Sequence, residues 1–216
     1  GKEIYTFYVS KTAGVDPATG AQLYWVYDLD EDGNKINERI SSDATKATNS
    51  KYYLGSRAPD LFGSFGMDFT FFKNFDLSFT TAYSIGGKIY DSKYAALMTP
   101  TYDGDTWSKH ALRRWQNPVV IRHVPRATLG GSSVTSDRYL IDASYLALRN
   151  ITFGYTIPKN ILSKIGCESV RFSVTADNLF TLTKLKGMDP QYSFRGTTDY
   201  SYMPNKTVSF GIDINF

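Results

Sequence analysis

Residues 207–216 constrain the chain most. They read Thr-Val-Ser-Phe-Gly-Ile-Asp-Ile-Asn-Phe. Val208, Phe210, Ile212, Ile214 and Phe216 fall on one side of an extended chain, and Ser209, Gly211, Asp213 and Asn215 on the other. Successive strand side chains point to opposite faces, so this alternation predicts a β-strand with one apolar face. A strand crossing a bilayer at a tilt needs about 9–11 residues, and this segment has that length.

Six other segments carry a related signal. Phe65, Met67, Phe69 and Phe71 alternate with Gly66, Asp68 and Thr70. After a turn at Lys73 and Asn74, Phe75, Leu77, Phe79, Tyr83 and Ile85 oppose Asp76, Ser78, Thr80 and Ser84. Ile151, Phe153, Tyr155 and Ile157 oppose Thr152, Gly154 and Thr156, and Val170, Phe172, Val174 and Ala176 oppose Arg171, Ser173, Thr175 and Asp177. Residues 3–9 and 21–29 are predicted as two weaker strands, the second apolar or aromatic on both faces. Gly63, Gly66, Gly86, Gly87, Gly130 and Gly131 read as strand kinks and loop hinges.

The polar faces separate a barrel from a soluble sandwich. A sandwich turns its polar face to bulk water and usually carries Lys and Glu there. These strands carry mainly Ser, Thr, Gly, Asp and Asn, which suit a wet, confined lumen. The connections alternate: short at 10–20, long at 30–61, short at 73–74, long at 91–137, short at 158–168, long at 181–205. Membrane barrels alternate short periplasmic turns with long extracellular loops. Seven strands do not close such a barrel, because an open edge leaves backbone groups unpaired in lipid. Further strands are therefore expected from a longer parent or another chain.

Composition agrees. No run of 18 apolar residues exists, so no transmembrane helix is expected. Aromatic residues make up 15% of the chain, with 16 Tyr and 14 Phe, the residue types of strands and of barrel girdles. Net charge is +3 with no basic cluster, so nucleic acid is not an expected partner. The single Cys167 makes neither an internal disulfide nor a metal cluster. No signal peptide opens the chain, and the numbering is expected to start inside a longer protein.

Several motifs then resemble one family. Residues 144–158, Ser-Tyr-Leu-Ala-Leu-Arg-Asn-Ile-Thr-Phe-Gly-Tyr-Thr-Ile-Pro, resemble the SYLRLKN…GY…P signature of SusC/RagA-type TonB-dependent transporters. Residues 171–183 resemble their RxYxxxxNLFTxT strand. Residues 186–190 resemble the KGxDPE element, with Gln191 in place of the acid. Residues 62–79 resemble the hairpin ending in FDLS, and residues 14–20 resemble the GVDPxTG turn. The closing Phe216 is similar to the aromatic end that barrel-insertion machinery reads. The resemblance spans nearly all of residues 1–216, with the plug domain and energy-coupling box absent.

The resemblance implies an all-β fold: an antiparallel transmembrane β-barrel segment with long extracellular loops. The chain would be roughly the last seven strands of a barrel of about 22. It implies an outer-membrane location in a Gram-negative cell, import of glycans or oligopeptides, and no enzymatic activity. The implied partners are the rest of the barrel and plug, a SusD-like surface lipoprotein, the TonB complex and outer-membrane lipid. A soluble carbohydrate-binding β-sandwich is the alternative from composition, and a plugless porin or scaffold is a third reading.

Candidate sites are few. Asp28, Asp30 and Asp32, followed by Gly33, fit the start of a calcium loop, although Arg39 stands where a bidentate Glu belongs. Calcium is therefore the one cofactor considered, against a plain acidic turn. Tyr102, Trp107, Trp115, Tyr192, Tyr200 and Tyr202 lie in expected extracellular loops. They are candidates for ligand or lid contact, since aromatic faces stack on sugar rings; the competing reading is packing within a long loop. A helix is predicted over 105–116, capped by Asp105 or Thr106. His110 and His123 read as ordinary loop residues, and no catalytic set is present. Val208, Phe210, Ile212, Ile214 and Phe216 are the candidate lipid-facing residues.

Overall fold

The computed structural model describes residues 1, 3–99, 104–119, 122–128, 134–162, 166–185, 188–192, 197 and 204–216. It divides into two compact units, one built on residues 1–58, 88–141 and 193–199, the other on 59–87, 142–192 and 200–216. Among the described residues no helix is long and apolar enough to cross a membrane.

The first unit starts with strands β1 (Thr6–Val15), β2 (Gln22–Leu29) and β3 (Lys35–Ser41), helix α1 (Ala44–Asn49) and strand β4 (Lys51–Ser56). They form one antiparallel sheet in the order β3-β2-β1-β4. Asp16 organises the β1–β2 turn: its carbonyl accepts from the Gly20 amide at 2.8 Å and its carboxylate from the Ala18 amide at 3.0 Å. Asp43 caps α1 by accepting from the Thr45 and Lys46 amides. Tyr24 and Val26 of β2 bury against Ala47 of α1 and Val134 to make a small core.

Here the structure departs from the expected connections. Most of the short link at 10–20 is strand, and the long loop at 30–61 holds β3, α1 and β4. The two N-terminal strands therefore pair with β3 and β4, not with the alternating strands that follow. The seven expected strands are therefore divided, two in this sheet and five in a second sheet. The β3 side chains are almost all exposed, so no apolar stripe marked it as a strand.

The second unit begins with β5 (Leu61–Phe71) and β6 (Phe75–Ile85). Next come β7 (Lys88–Tyr90), helix α2 (Ser92–Met98) and β8 (Leu140–Asp142), β7 pairing with β8. The chain re-enters the second unit with β9 (Tyr145–Thr156), α3 (Lys159–Leu162), β10 (Ser169–Thr183) and β11 (Thr207–Asn215). The five long strands form one antiparallel sheet in the order β11-β10-β9-β6-β5. Within it the expected alternation holds: short turns join β5 to β6 and β9 to β10, and long segments join β6 to β9 and β10 to β11. The β5–β6 turn has three residues, because Phe71 pairs with Phe75. Phe72 and Lys73 take φ of 50° and 64°, the left-handed backbone of tight hairpins.

Two bulges reset the side-chain faces. Thr80 pairs with Asn150 but Thr81 with Leu148, which leaves Arg149 as an extra residue in β9. Asp177 pairs with Asn150 but Phe180 with Leu148, which places the matching bulge at Asn178 and Leu179 of β10. Asn178 sits at φ 53°, a conformation Asn tolerates better than most residues. Beyond the bulges Leu146, Leu148, Phe180 and Leu182 join the apolar face.

Candidate functional site: an amphipathic wall and an arginine-lined cavity

Strand register turns single-strand alternation into continuous rows. Phe71, Phe75, Tyr155, Phe172 and Ile212 are successive cross-strand partners; so are Phe69, Leu77, Phe153, Val174 and Phe210. Met67, Phe79, Ile151, Ala176 and Val208 make a third row. The face they form stands open, with Phe210 81% and Ile212 63% exposed and Val208, Ile214 and Phe216 exposed as well. The ten residue steps of β5 rise about 34 Å, or about 26 Å at a 40° tilt. That matches the apolar band of roughly 25 Å on membrane barrels. Aromatic rings gather at the short-turn end: Phe71 stacks on Phe75 at 5.7 Å, and Phe75 meets Tyr155 at 4.6 Å and Phe153 at 5.9 Å. Thr81 lies in the apolar rows, where its hydroxyl donates to the Phe65 carbonyl at 3.1 Å, so no polar hydrogen is left over.

The opposite face is polar and internally bonded. Thr152 and Thr175 share a hydroxyl contact at 3.0 Å, and Asn150 Nδ2 donates to Asp177 Oδ1 at 2.7 Å. Arg171 of β10 reaches over Gly154 of β9 to Asp76 of β6, Nη2 to Oδ2 at 2.5 Å, with Asp213 of β11 at 4.0 Å. A Cβ on Gly154 would come within 2.5 Å of both groups, so glycine is what lets the ion pair cross the middle strand. Where the strands leave this sheet, Asp142 accepts from the Ser144 amide at 2.9 Å and hydroxyl at 2.5 Å, and from Lys184 at 2.9 Å. These bonds hold the Asp142 carboxyl well below the usual range, at about 2.

The first unit contains a cavity of about 280 Å³. Arg114, Arg126 and Arg138 line it, with Trp107, Tyr24 and Tyr139. Burial pushes the Tyr24 phenol up to about 12, so it stays a neutral hydroxyl. Of the candidate loop aromatics among the described residues, Trp107 lines this cavity. Trp115 is packing: its indole N–H donates to the Pro17 carbonyl at 2.9 Å and its ring covers Gly20. Tyr192 ends a short turn, Pro190–Tyr192. Tyr102, Tyr200 and Tyr202 lie outside the described residues. The predicted 105–116 helix is a short 3-10 turn, Lys109–Arg113, capped by Ser108 rather than Asp105 or Thr106. His110 Nδ1 lies 3.1 Å from the Tyr94 hydroxyl, a partner its sequence neighbours did not reveal.

The acidic triplet does not converge. Asp28 is taken by Arg39 at 2.7 and 3.0 Å. Asp30 accepts from the amides of Asp32 and Asn34 and so closes the β2–β3 hairpin. Among the described residues no three acidic, His or Cys side chains gather as a metal cluster. The spacing that resembles a calcium loop is here the spacing of a hairpin turn.

The relatives agree with this geometry. The chain is 28% identical over 195 residues to TonB-dependent receptor P3 of Formosa agariphila, covering 85% of this chain and 19% of that protein. It is 25% identical over 203 residues to TonB-dependent receptor SusC of Bacteroides thetaiotaomicron, covering 91% and 19%. Among solved structures it matches the RagAB peptide transporter at a TM-score of 0.80 and 27% identity, over 98% of this chain and 23% of that chain. The RagAB peptide importer in the open-open state matches at a TM-score of 0.74 and 24% identity, a likeness of fold alone. No protein-family model matches the chain. The chain spans about a fifth of the length of these curated relatives. In sequence and in fold it is similar to a segment of a TonB-dependent receptor barrel. Within that class its likeness is to the SusC/RagA type, as residues 144–158 implied.

Proposed function

We propose that this chain is the C-terminal part of the barrel wall of an outer-membrane importer, energised through TonB and working with a SusD-like surface lipoprotein. One observation carries the reading: apolar rows run unbroken across five strands, stand exposed on one face, and are backed by a small-residue polar face. Lipid is the solvent that makes such a face stable, and water on the other side suits Ser, Thr, Gly and Asp. Val208, Phe210, Ile212, Ile214 and Phe216 then face lipid. The sheet has two edge strands, β5 and β11, whose unpaired backbone groups call for neighbouring barrel strands. The work is transport of a glycan or oligopeptide, not catalysis. The named relatives, receptors and a peptide transporter, support this.

A sugar-binding sandwich needs a second sheet over the apolar face. That face is open, which removes the support for this alternative. The experiment is to fractionate cells that make the full-length parent and to heat the membrane extract before electrophoresis. A heat-modifiable outer-membrane band supports the proposal. A soluble protein that unfolds sharply without detergent overturns it.

A further inference from the structure

Arg114, Arg126 and Arg138 line the cavity of the first unit, and among the described residues no Asp or Glu lines it. The ion pairs seen between Asp28 and Arg39, between Arg171 and both Asp76 and Asp213, and between Asp142 and Lys184 engage none of these three arginines. Arg138 is held in place: Nη1 donates to Gln22 Oε1 at 2.5 Å and Nη2 to the His123 carbonyl at 2.8 Å. Arg114 lies 6.0 Å over the Trp107 ring. Three like charges around one hollow repel until an anion joins them. The guanidinium fork matches a carboxylate through two parallel hydrogen bonds.

We propose that this cavity binds the terminal carboxylate of a short peptide that ends in an apolar residue. The rest of the lining chooses peptide over acidic sugar. Met98, Val124 and Val134 offer an aliphatic wall to a side chain. Among the described residues the lining offers no carboxylate and no asparagine to accept from sugar hydroxyls. Its single amide, Gln22, is already bound to Arg138. A volume of about 280 Å³ takes one residue, which fits recognition of a chain end. The inference deepens the transport reading by naming the substrate class, and it rests on that reading for the step from binding to import.

The test uses the full-length receptor purified in detergent, with its migration checked for heat modifiability. Calorimetry would compare the tetrapeptide Ala-Ala-Ala-Leu, its C-terminal amide, and tetragalacturonate. The free acid is expected to bind about tenfold or more tighter than the amide, the loss expected for one charge-assisted hydrogen bond. An R114Q/R126Q receptor is expected to bind the free acid no better than the amide. Equal binding of acid and amide, unchanged binding by the variant, preference for the uronate, or no peptide binding by a heat-modifiable receptor would each overturn the proposal. A receptor that shows no heat-modifiable outer-membrane band overturns the transport reading instead, whatever it binds.

Discussion

Gly154→Ala isolates what one missing side chain does for the polar face of the wall. Arg171 Nη2 and Asp76 Oδ2 meet at 2.5 Å, and Nε lies 3.3 Å from Oδ1, with the Gly154 backbone beneath. An added Cβ would sit 2.5 Å from Nη2 and from Oδ2, about 1 Å inside normal contact, so the pair must open. Hydrogen bonds between charged groups contribute about 1.5–3 kcal/mol when shielded. These side chains are 37% and 35% exposed, so solvent screening brings the pair to about 1.5 kcal/mol at most. Alanine recovers roughly 0.5 kcal/mol, because glycine loses more backbone entropy in a strand. The net expectation is a loss of about 1 kcal/mol. In a D76S/R171S background the clash and the pair are both gone, and the same substitution should gain about 0.5 kcal/mol. Guanidinium unfolding of the full-length receptor, followed by its heat-modifiable migration, reads both values. An alanine effect of equal size and sign in the two backgrounds would refute the reasoning.

Other perturbations separate the two faces, the bulge and the loop base. Ile212→Arg puts a charge on the exposed apolar row and should cost about 2–4 kcal/mol, whereas Asp213→Ser on the polar face should cost little; equal tolerance in an outer-membrane assembly assay would contradict the assigned faces. Asn178→Ala should cost about 1 kcal/mol and Asn178→Gly almost nothing, since only the first strains a backbone at φ 53°; matched losses in the same unfolding assay would argue against the bulge. Asp142 has a folded value of about 2 against an ordinary 3.8, so its contribution is complete above about pH 5 and is largely lost as pH falls to about 2. Its side chain is 37% exposed, which limits the effect to about 1 kcal/mol. Hydrogen-exchange protection of the Ser144 amide should therefore drop over that range in the native protein and stay flat in Asp142→Asn.

The wall strands were legible because one apolar face imposes a period of two, and β5, β6, β9, β10 and β11 all show it. β3 was not, since Lys35, Asn37, Glu38 and Arg39 are exposed and the strand is held by pairing with β2, by the Arg39–Asp28 ion pair and by Lys35 over Tyr27 and Tyr52. Local pattern cannot report which sheet a strand joins, so β1 and β2 read as wall. The bulges were half visible: an Asn before Leu179 and Phe180 is a plausible left-handed position, but Arg149 carries no such mark. Of the cavity, Trp107 alone stood out. Arg114, Arg126 and Arg138 come from separate stretches of chain, and only folding gathers them around one cavity.

The two properties that make the five-stranded sheet unsuited to water and to lipid each point to one completion. Its apolar rows would drive aggregation in water, as any long exposed apolar sheet does. Hydrocarbon removes that cost but raises another, because the free edges of β5 and β11 hold N–H and C=O groups that lipid cannot bond. Pairing both edges with further strands removes the second cost without restoring the first. Closure also turns the Asp76–Arg171–Asp213 face inward, where water keeps its charges hydrated. On the proposed barrel-wall reading, lipid is the solvent of the outer face, and the exposure of Phe210 and Ile212 is what that contact requires rather than a gap in the packing.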